Sequence, residues 1–204
     1  MRRLLLVAAL VAAGCTRADT PEATPTASPE PLPPNNLSAM QALFGPDLER
    51  LGLRLTRTAL IDTSEGRYSP SPEGKHLAMY AEPIEPYTSE RYARNIVPLT
   101  KIFVPTVFER WSELESFDIC QEPIASDEPE PPPVSQVNLT REQAQEMDWA
   151  NLTLEGLIRA AIDEPSEELR VLISRRVQRS STWRSAYRAV AGDGAAGSTG
   201  RPGY

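Results

Sequence analysis

Between Tyr92 and Trp111 the sequence places an apolar side chain at every third or fourth position: Tyr92, Ile96, Leu99, Phe103, Val107 and Trp111. Residues with that spacing fall on one face of an α-helix, so the stretch predicts a long amphipathic helix with a continuous buried stripe. Thr88 or Ser89 suits its N-cap, and Glu90 puts a negative charge in the first turn, where the helix dipole favours it. Pro98 and Pro105 fall inside the pattern. Each removes a backbone hydrogen bond and crowds the carbonyl four residues back, at about 3 kcal/mol in an ideal helix. The stripe keeps its phase across both, which favours one kinked helix; the alternative is a break at Val104-Pro105. A helix with one such face needs a surface to cover.

The neighbouring segments supply that surface. Leu53, Leu55, Ala59 and Ile61 alternate with Arg54, Thr56 and Thr58, the period of a strand with one buried face. From His76 to Pro83, Leu77, Met79 and Ala81 point one way, and His76, Ala78 and Tyr80 the other. The two strands are expected to pair antiparallel across the turn-rich loop 63–74. Ser116 to Glu122 reads as a third strand with Phe117 and Ile119 facing the helix, and Val134 to Leu139 as a short fourth. The expected fold class is therefore α+β: a small, mostly antiparallel sheet with a β-β-α-β core, the long Pro-kinked helix on one face, and C-terminal helices after it.

Those helices have their own signals. Thr140 and Gln143 have capping-box spacing and open a helix towards Trp149. Leu154, Leu157, Ile158 and Ile162 mark the next, which Glu164-Pro165 stops. Leu169, Leu172, Ile173 and Val177 suggest another helix beginning at Pro165, and Trp183, Tyr187 and Val190 a last one. Ahead of the sheet, Ser38 is read as the N-cap of a short helix through Phe44. Gly45-Pro46 is read as its break, followed by a second short helix to Gly52. The segment 123–133 is acidic and rich in proline, a solvated loop; 192–204 is rich in glycine and reads as a disordered tail.

The first fifteen residues fix the expected location. Arg2 and Arg3 precede an uncharged apolar run from Leu4 to Ala13. That run is shorter than the roughly 20 residues needed to span a bilayer and matches a secretory h-region of about 7–15. It ends in Val11-Ala12-Ala13-Gly14-Cys15, which resembles the lipobox of bacterial lipoproteins, with Ala12 where leucine is usual. The resemblance covers residues 1–15 only. It implies cleavage before Cys15 by signal peptidase II, a diacylglyceryl and palmitate-bearing Cys15, and a place on the extracytoplasmic face of the cell membrane. The alternative is an ordinary signal peptide with an incidental cysteine. Residues 16–36 hold six prolines and almost no large apolar group. They are expected to be a disordered tether between the lipid and one folded domain over 37–191.

A single domain of this size buries one core. A net charge of −7 argues against generic affinity for nucleic acid. With Cys15 lipidated, Cys120 has no partner for a disulfide. Asn36-Leu-Ser38, Asn138-Leu-Thr140 and Asn151-Leu-Thr153 match the glycosylation triplet, but in a bacterial lipoprotein Ser38 and Thr140 read better as helix caps.

No catalytic constellation is legible, and no cofactor is implied. One histidine and one available thiol do not make up a zinc site of the usual ligand types, and the acidic run Asp127 to Glu130 lacks calcium-loop spacing. His76, Tyr80 and Cys120 are the candidate ligand-pocket residues. A Cys120–His76 nucleophilic pair would need the two within hydrogen-bond reach. Arg175, Arg176 and Arg179 are the candidate contacts to an anionic surface, set against a plain solvated helix face. Two functions stay open: a non-enzymatic binding domain of the envelope, tethered by its lipid and meeting an envelope protein, or a small-ligand protein or enzyme with a carboxylate and tyrosine site in a sheet–helix pocket.

Overall fold

The computed structural model describes residues 36–62, 74–128, 131–163 and 169–192. Helix α1 covers Leu37–Leu51, strand β1 Leu53–Asp62, β2 Lys75–Pro83, helix α2 Ser89–Arg110, β3 Leu114–Gln121 and β4 Ser135–Thr140. Helices α3 (Arg141–Glu146) and α4 (Leu154–Asp163), strand β5 (Arg170–Ile173) and helices α5 (Arg175–Gln178) and α6 (Ser181–Ala191) complete the described chain. The strands form one sheet in the order β1-β2-β3-β4-β5. Three of its four pairings are antiparallel, and β2 with β3 is parallel. That exception follows from α2: a long crossover helix returns the chain to the end where β2 began. The α+β class and the helix-covered sheet expected above are what the structure has.

Helix α2 is unbroken through Pro98 and Pro105. Thr88 caps it, its hydroxyl accepting the Arg91 N–H at 3.2 Å. Ile96, Leu99, Phe103, Val104 and Val107 are all at most 2% exposed, so burial of the stripe outweighs the two lost backbone hydrogen bonds. The stripe lies on Leu77, Met79, Phe117, Ile119, Val137 and Leu139, a single face of the sheet by register. Phe103 joins the layers, with its ring centroid 4.3 Å from that of Phe44 in α1 and 6.2 Å from that of Phe117 in β3.

Five expectations need correction. Helix α1 is continuous through Gly45-Pro46, and Asn36, not Ser38, is its N-cap. Met40, Phe44 and Leu48 repeat every four residues and are all buried, and that packing carries the helix past the proline. In β1 the pairing jumps from Leu55↔Ala81 to Arg57↔Tyr80, a β-bulge with Thr56 as the extra residue. Leu53 and Leu55 therefore face α1 and α2, whereas Ala59 and Ile61 share the opposite face with Ala78 and His76. Arg170–Ile173 is a strand, paired antiparallel with β4, where a helix was expected. Ile162 is 53% exposed and does not belong to the buried face of α4.

The capping box at Thr140 and Gln143 is complete in both directions. Each of the three asparagine triplets contains a cap: Asn36, the first residue of its triplet, caps α1, Thr140 caps α3, and the Thr153 hydroxyl accepts the Gly156 N–H at the start of α4. Among the described residues no helix is long and apolar enough to cross a membrane. Cys15, the signal segment 1–14, the tether 16–35, most of the loop 63–74 and nearly all of the tail 192–204 lie outside the described residues.

Candidate functional site

Alternation in β3 sends Phe117 and Ile119 towards α2, and Ser116, Asp118 and Cys120 the other way, with Glu122 just past the strand's end. Register adds Ile61, His76, Ala78, Tyr80 and Arg57 from β1 and β2, and Gln136, Asn138 and Thr140 from β4. The face turned away from α2 is thus polar, and it holds the chain's only histidine and its free buried thiol together.

His76, Tyr80 and Cys120 do share this face, but they do not form one site. Tyr80 is the direct neighbour of Cys120, whereas His76 is the neighbour of Ser116. Four residues along a strand separate His76 from Cys120, about 13 Å at 3.3 Å per residue. The His76–Cys120 nucleophilic pair is excluded by that register. The site expected in a sheet–helix pocket is also displaced: all three residues lie on the far face, and the sheet–α2 interface is filled by core side chains.

Two hydrogen-bonded groups occupy the polar face. In the first, His76 Nδ1 and Ser116 Oγ are 2.8 Å apart, His76 Nε2 lies 3.4 Å from Asp118 Oδ2, and Gln136 donates to the same Asp118 oxygen at 2.7 Å. Serine, histidine and aspartate in contact are the residue types of a nucleophilic relay. Ser116 is 0% and His76 1% exposed, so no substrate carbonyl can reach the Ser116 hydroxyl. In the second group Glu122 accepts from Arg57 at 2.8 Å and from the Thr56 hydroxyl at 2.9 Å, and the Arg57 guanidinium stands 3.7 Å over the Tyr80 ring. Cys120 lies between the groups. Burial pushes its thiol well above the usual range, and the carboxylates of Asp118 and Glu122 add to the effect. It is a protonated thiol at neutral pH, the opposite of an activated nucleophile. Sequence reading picked out His76, Tyr80 and Cys120 but missed Ser116, Asp118, Glu122 and Arg57. The alternation of polar residues at 116, 118, 120 and 122 was the available signal.

The described surface also has a cavity of about 450 Å³ along α3 and α4. Met147, Leu152, Ala160 and Leu169 give it an apolar lining, and Glu146, Asp148 and Asp163 are its carboxylates. Asp148 is held by Asn151, whose side-chain amide donates at 2.8 Å and whose backbone N–H donates at 3.3 Å; these bonds lower its pKa.

The expected arginine cluster divides. Arg176 donates to the Tyr87 carbonyl and stands 5.2 Å from the Tyr92 ring centroid, so it ties α5 to the start of α2. Arg175 and Arg179 are exposed, and their guanidinium groups make no hydrogen bond or ion pair among the described residues. Comparison with family models, curated proteins and solved structures finds no match to this chain.

Proposed function

We propose that the protein is a bacterial lipoprotein, anchored through Cys15 on the extracytoplasmic face of the cell membrane, and that its folded domain is a binding module of the envelope. The anchor rests on Val11-Ala12-Ala13-Gly14-Cys15 and the apolar run before it. What carries the non-enzymatic part is the commitment of the reactive side chains to one another. His76 is bonded to a fully buried Ser116, and Cys120 is a buried neutral thiol one sheet row from a carboxylate on either side. Groups buried in this way stiffen a sheet and stand out of a substrate's reach.

The cavity along α3 and α4 favours a second reading, a small-ligand protein or enzyme. Its apolar lining and three carboxylates suit a compact cationic or amine-bearing molecule.

Fractionation in the host tests the anchor. Wild-type protein should take up labelled palmitate and sediment with membranes, and Cys15→Ala should do neither; a Cys15→Ala protein that stays in the membrane overturns it. Crosslinking in intact cells should then recover the same envelope partner from independent preparations. Recovery of none, together with a small amine that raises the melting temperature, would favour the second reading.

A further inference from the structure

From Leu169 to Gly192 the chain has six arginines and no aspartate, glutamate or lysine. The whole chain is −7, so the remainder carries −13. Positive charge has been gathered into β5, α5 and α6 of an otherwise acidic molecule. In α6, Trp183 and Ala186 are buried, which turns Arg184 and Arg188, four residues apart, to the outside on one face. Arg175 and Arg179 have the same spacing immediately before that helix and are exposed. Among the described residues the guanidinium groups of Arg175, Arg179 and Arg188 have no hydrogen-bond or ionic partner, and that of Arg184 has only the Ser180 carbonyl. The carboxylate that does reach α6, Glu90, has both oxygens bonded to Ser181 and Thr182 and neutralises no guanidinium. Tyr187 lies at the edge of this face, 38% exposed, its ring stacked on Trp183 at 6.5 Å.

We infer that these exposed arginines of α5 and α6 together dock on anionic phospholipid headgroups of the membrane that holds the chain. Guanidinium matches phosphate by two parallel hydrogen bonds, and a half-exposed tyrosine beside it suits the bilayer interface. The inference takes the identity of the membrane from the lipoprotein reading. The 21 residues from Thr16 to Asn36 span at most about 70 Å, so a lipid on Cys15 keeps the domain close to headgroups at high effective concentration. Under that condition a few unpaired arginines suffice to set the domain's orientation, although none alone would recruit it. An acidic envelope protein is the competing partner, but it would have to find the face, whereas the tether presents the lipid.

Arginine accessibility on the native chain tests this. The protein, extracted from host membranes, is reconstituted into phosphatidylcholine vesicles and into vesicles with about one-third phosphatidylglycerol, then treated with phenylglyoxal and mapped by mass spectrometry. Arg110 is the internal control: it ends α2, about 30 Å along the helix axis from the turn where Glu90 meets α6. On the anionic vesicles modification of Arg175, Arg179, Arg184 and Arg188 should slow about fivefold or more, Arg110 should stay unchanged, and high salt should remove the difference. Equal rates on the two vesicles, or equal slowing at Arg110, overturn the inference. Protection that needs added envelope protein and ignores lipid charge overturns it in favour of the acidic partner. The same spectra weigh residue 15. If Cys15 carries no lipid, the anchor reading fails alone, and sedimentation of the chain with added anionic but not neutral vesicles still decides the arginine face.

Discussion

The carboxylate of Glu90, in the first turn of α2, accepts the backbone N–H of Ser181, the first residue of α6. It also takes the Thr182 N–H at 3.1 Å and the Thr182 hydroxyl at 2.8 Å. One side chain therefore serves two helix N-termini, where free N–H groups and the positive end of the dipole both favour an anion. Those bonds lower its pKa from 4.5 to about 2.

A depressed carboxylate contributes stability above its unfolded pKa and loses it as pH falls through its folded one. Glu90 should therefore support the fold fully above about pH 4.5 and lose that support progressively towards pH 2. Glu90→Gln is expected to melt lower than wild type at pH 7 and to converge with it near pH 2. Thermal melts across that window check this, since subtraction cancels the other carboxylates. A gap that stays constant with pH would mean that the charge is irrelevant.

Arg141 closes the far end of α2. Its guanidinium donates to the carbonyls of Phe108 and Leu114 at 2.8 Å and of Trp111 at 2.6 Å, and lies 4.9 Å from the Phe108 ring centroid. The Phe108 carbonyl belongs to the last turn of the helix, which leaves its carbonyls without intrahelical partners, and the Trp111 carbonyl also accepts the Leu114 N–H in the turn that follows. Arg141→Ala should cost about 2–4 kcal/mol in urea unfolding, because three carbonyls lose a charged donor. Arg141→Lys should recover less than half, since one ammonium does not match a planar fork. Full rescue by lysine would reduce the clamp to a simple charge effect.

Cys120 should behave as core. It is 1% exposed, and its thiol is held protonated by burial and by Asp118 and Glu122. Alkylation by iodoacetamide at neutral pH should leave Cys120 untouched in native protein and complete in guanidinium, as read by mass spectrometry. Rapid native alkylation would reopen a thiol chemistry for this face.

Much of this fold was legible because its longest element is periodic. Tyr92 to Trp111 announced both a helix and the face it buries, and Leu77, Met79 and Ala81 announced the sheet that receives it. What was hidden is non-local. Leu53, Leu55, Ala59 and Ile61 share one phase of an alternation that Arg57 and Leu60 break, and the pairing of Arg57 with Tyr80 reveals the bulge that puts Ala59 and Ile61 on the other face. Leu169, Leu172, Ile173 and Val177 fit a helical wheel, yet residues 170–173 gain more by completing the edge of β4. The polar face was half visible for the same reason. Strand alternation groups Ser116, Asp118 and Cys120, but only the parallel register places His76 beside Ser116 instead of Cys120.

Gly52 offers the sharpest local test. It follows α1 with φ 73°, and its N–H reaches back to the carbonyls of Glu49 and Leu48, the left-handed cap that ends helices. A Cβ there would stand 2.4 Å from Arg91 Nη2 and 3.2 Å from the Tyr87 hydroxyl. Gly52→Ala should therefore lose about 1–2 kcal/mol from backbone conformation alone, and more if Arg91 is displaced from Glu85. Gly156 in α4 is the control: its added Cβ meets only ordinary contacts, 3.5 Å from the Thr153 hydroxyl and 3.8 Å from Leu152. Gly156→Ala should gain about 0.5 kcal/mol by restricting the unfolded chain. Urea unfolding of the two variants should thus shift in opposite directions. A neutral Gly52→Ala would mean that β1 can begin without the left-handed turn, and with it would go the reason for a glycine between α1 and the sheet.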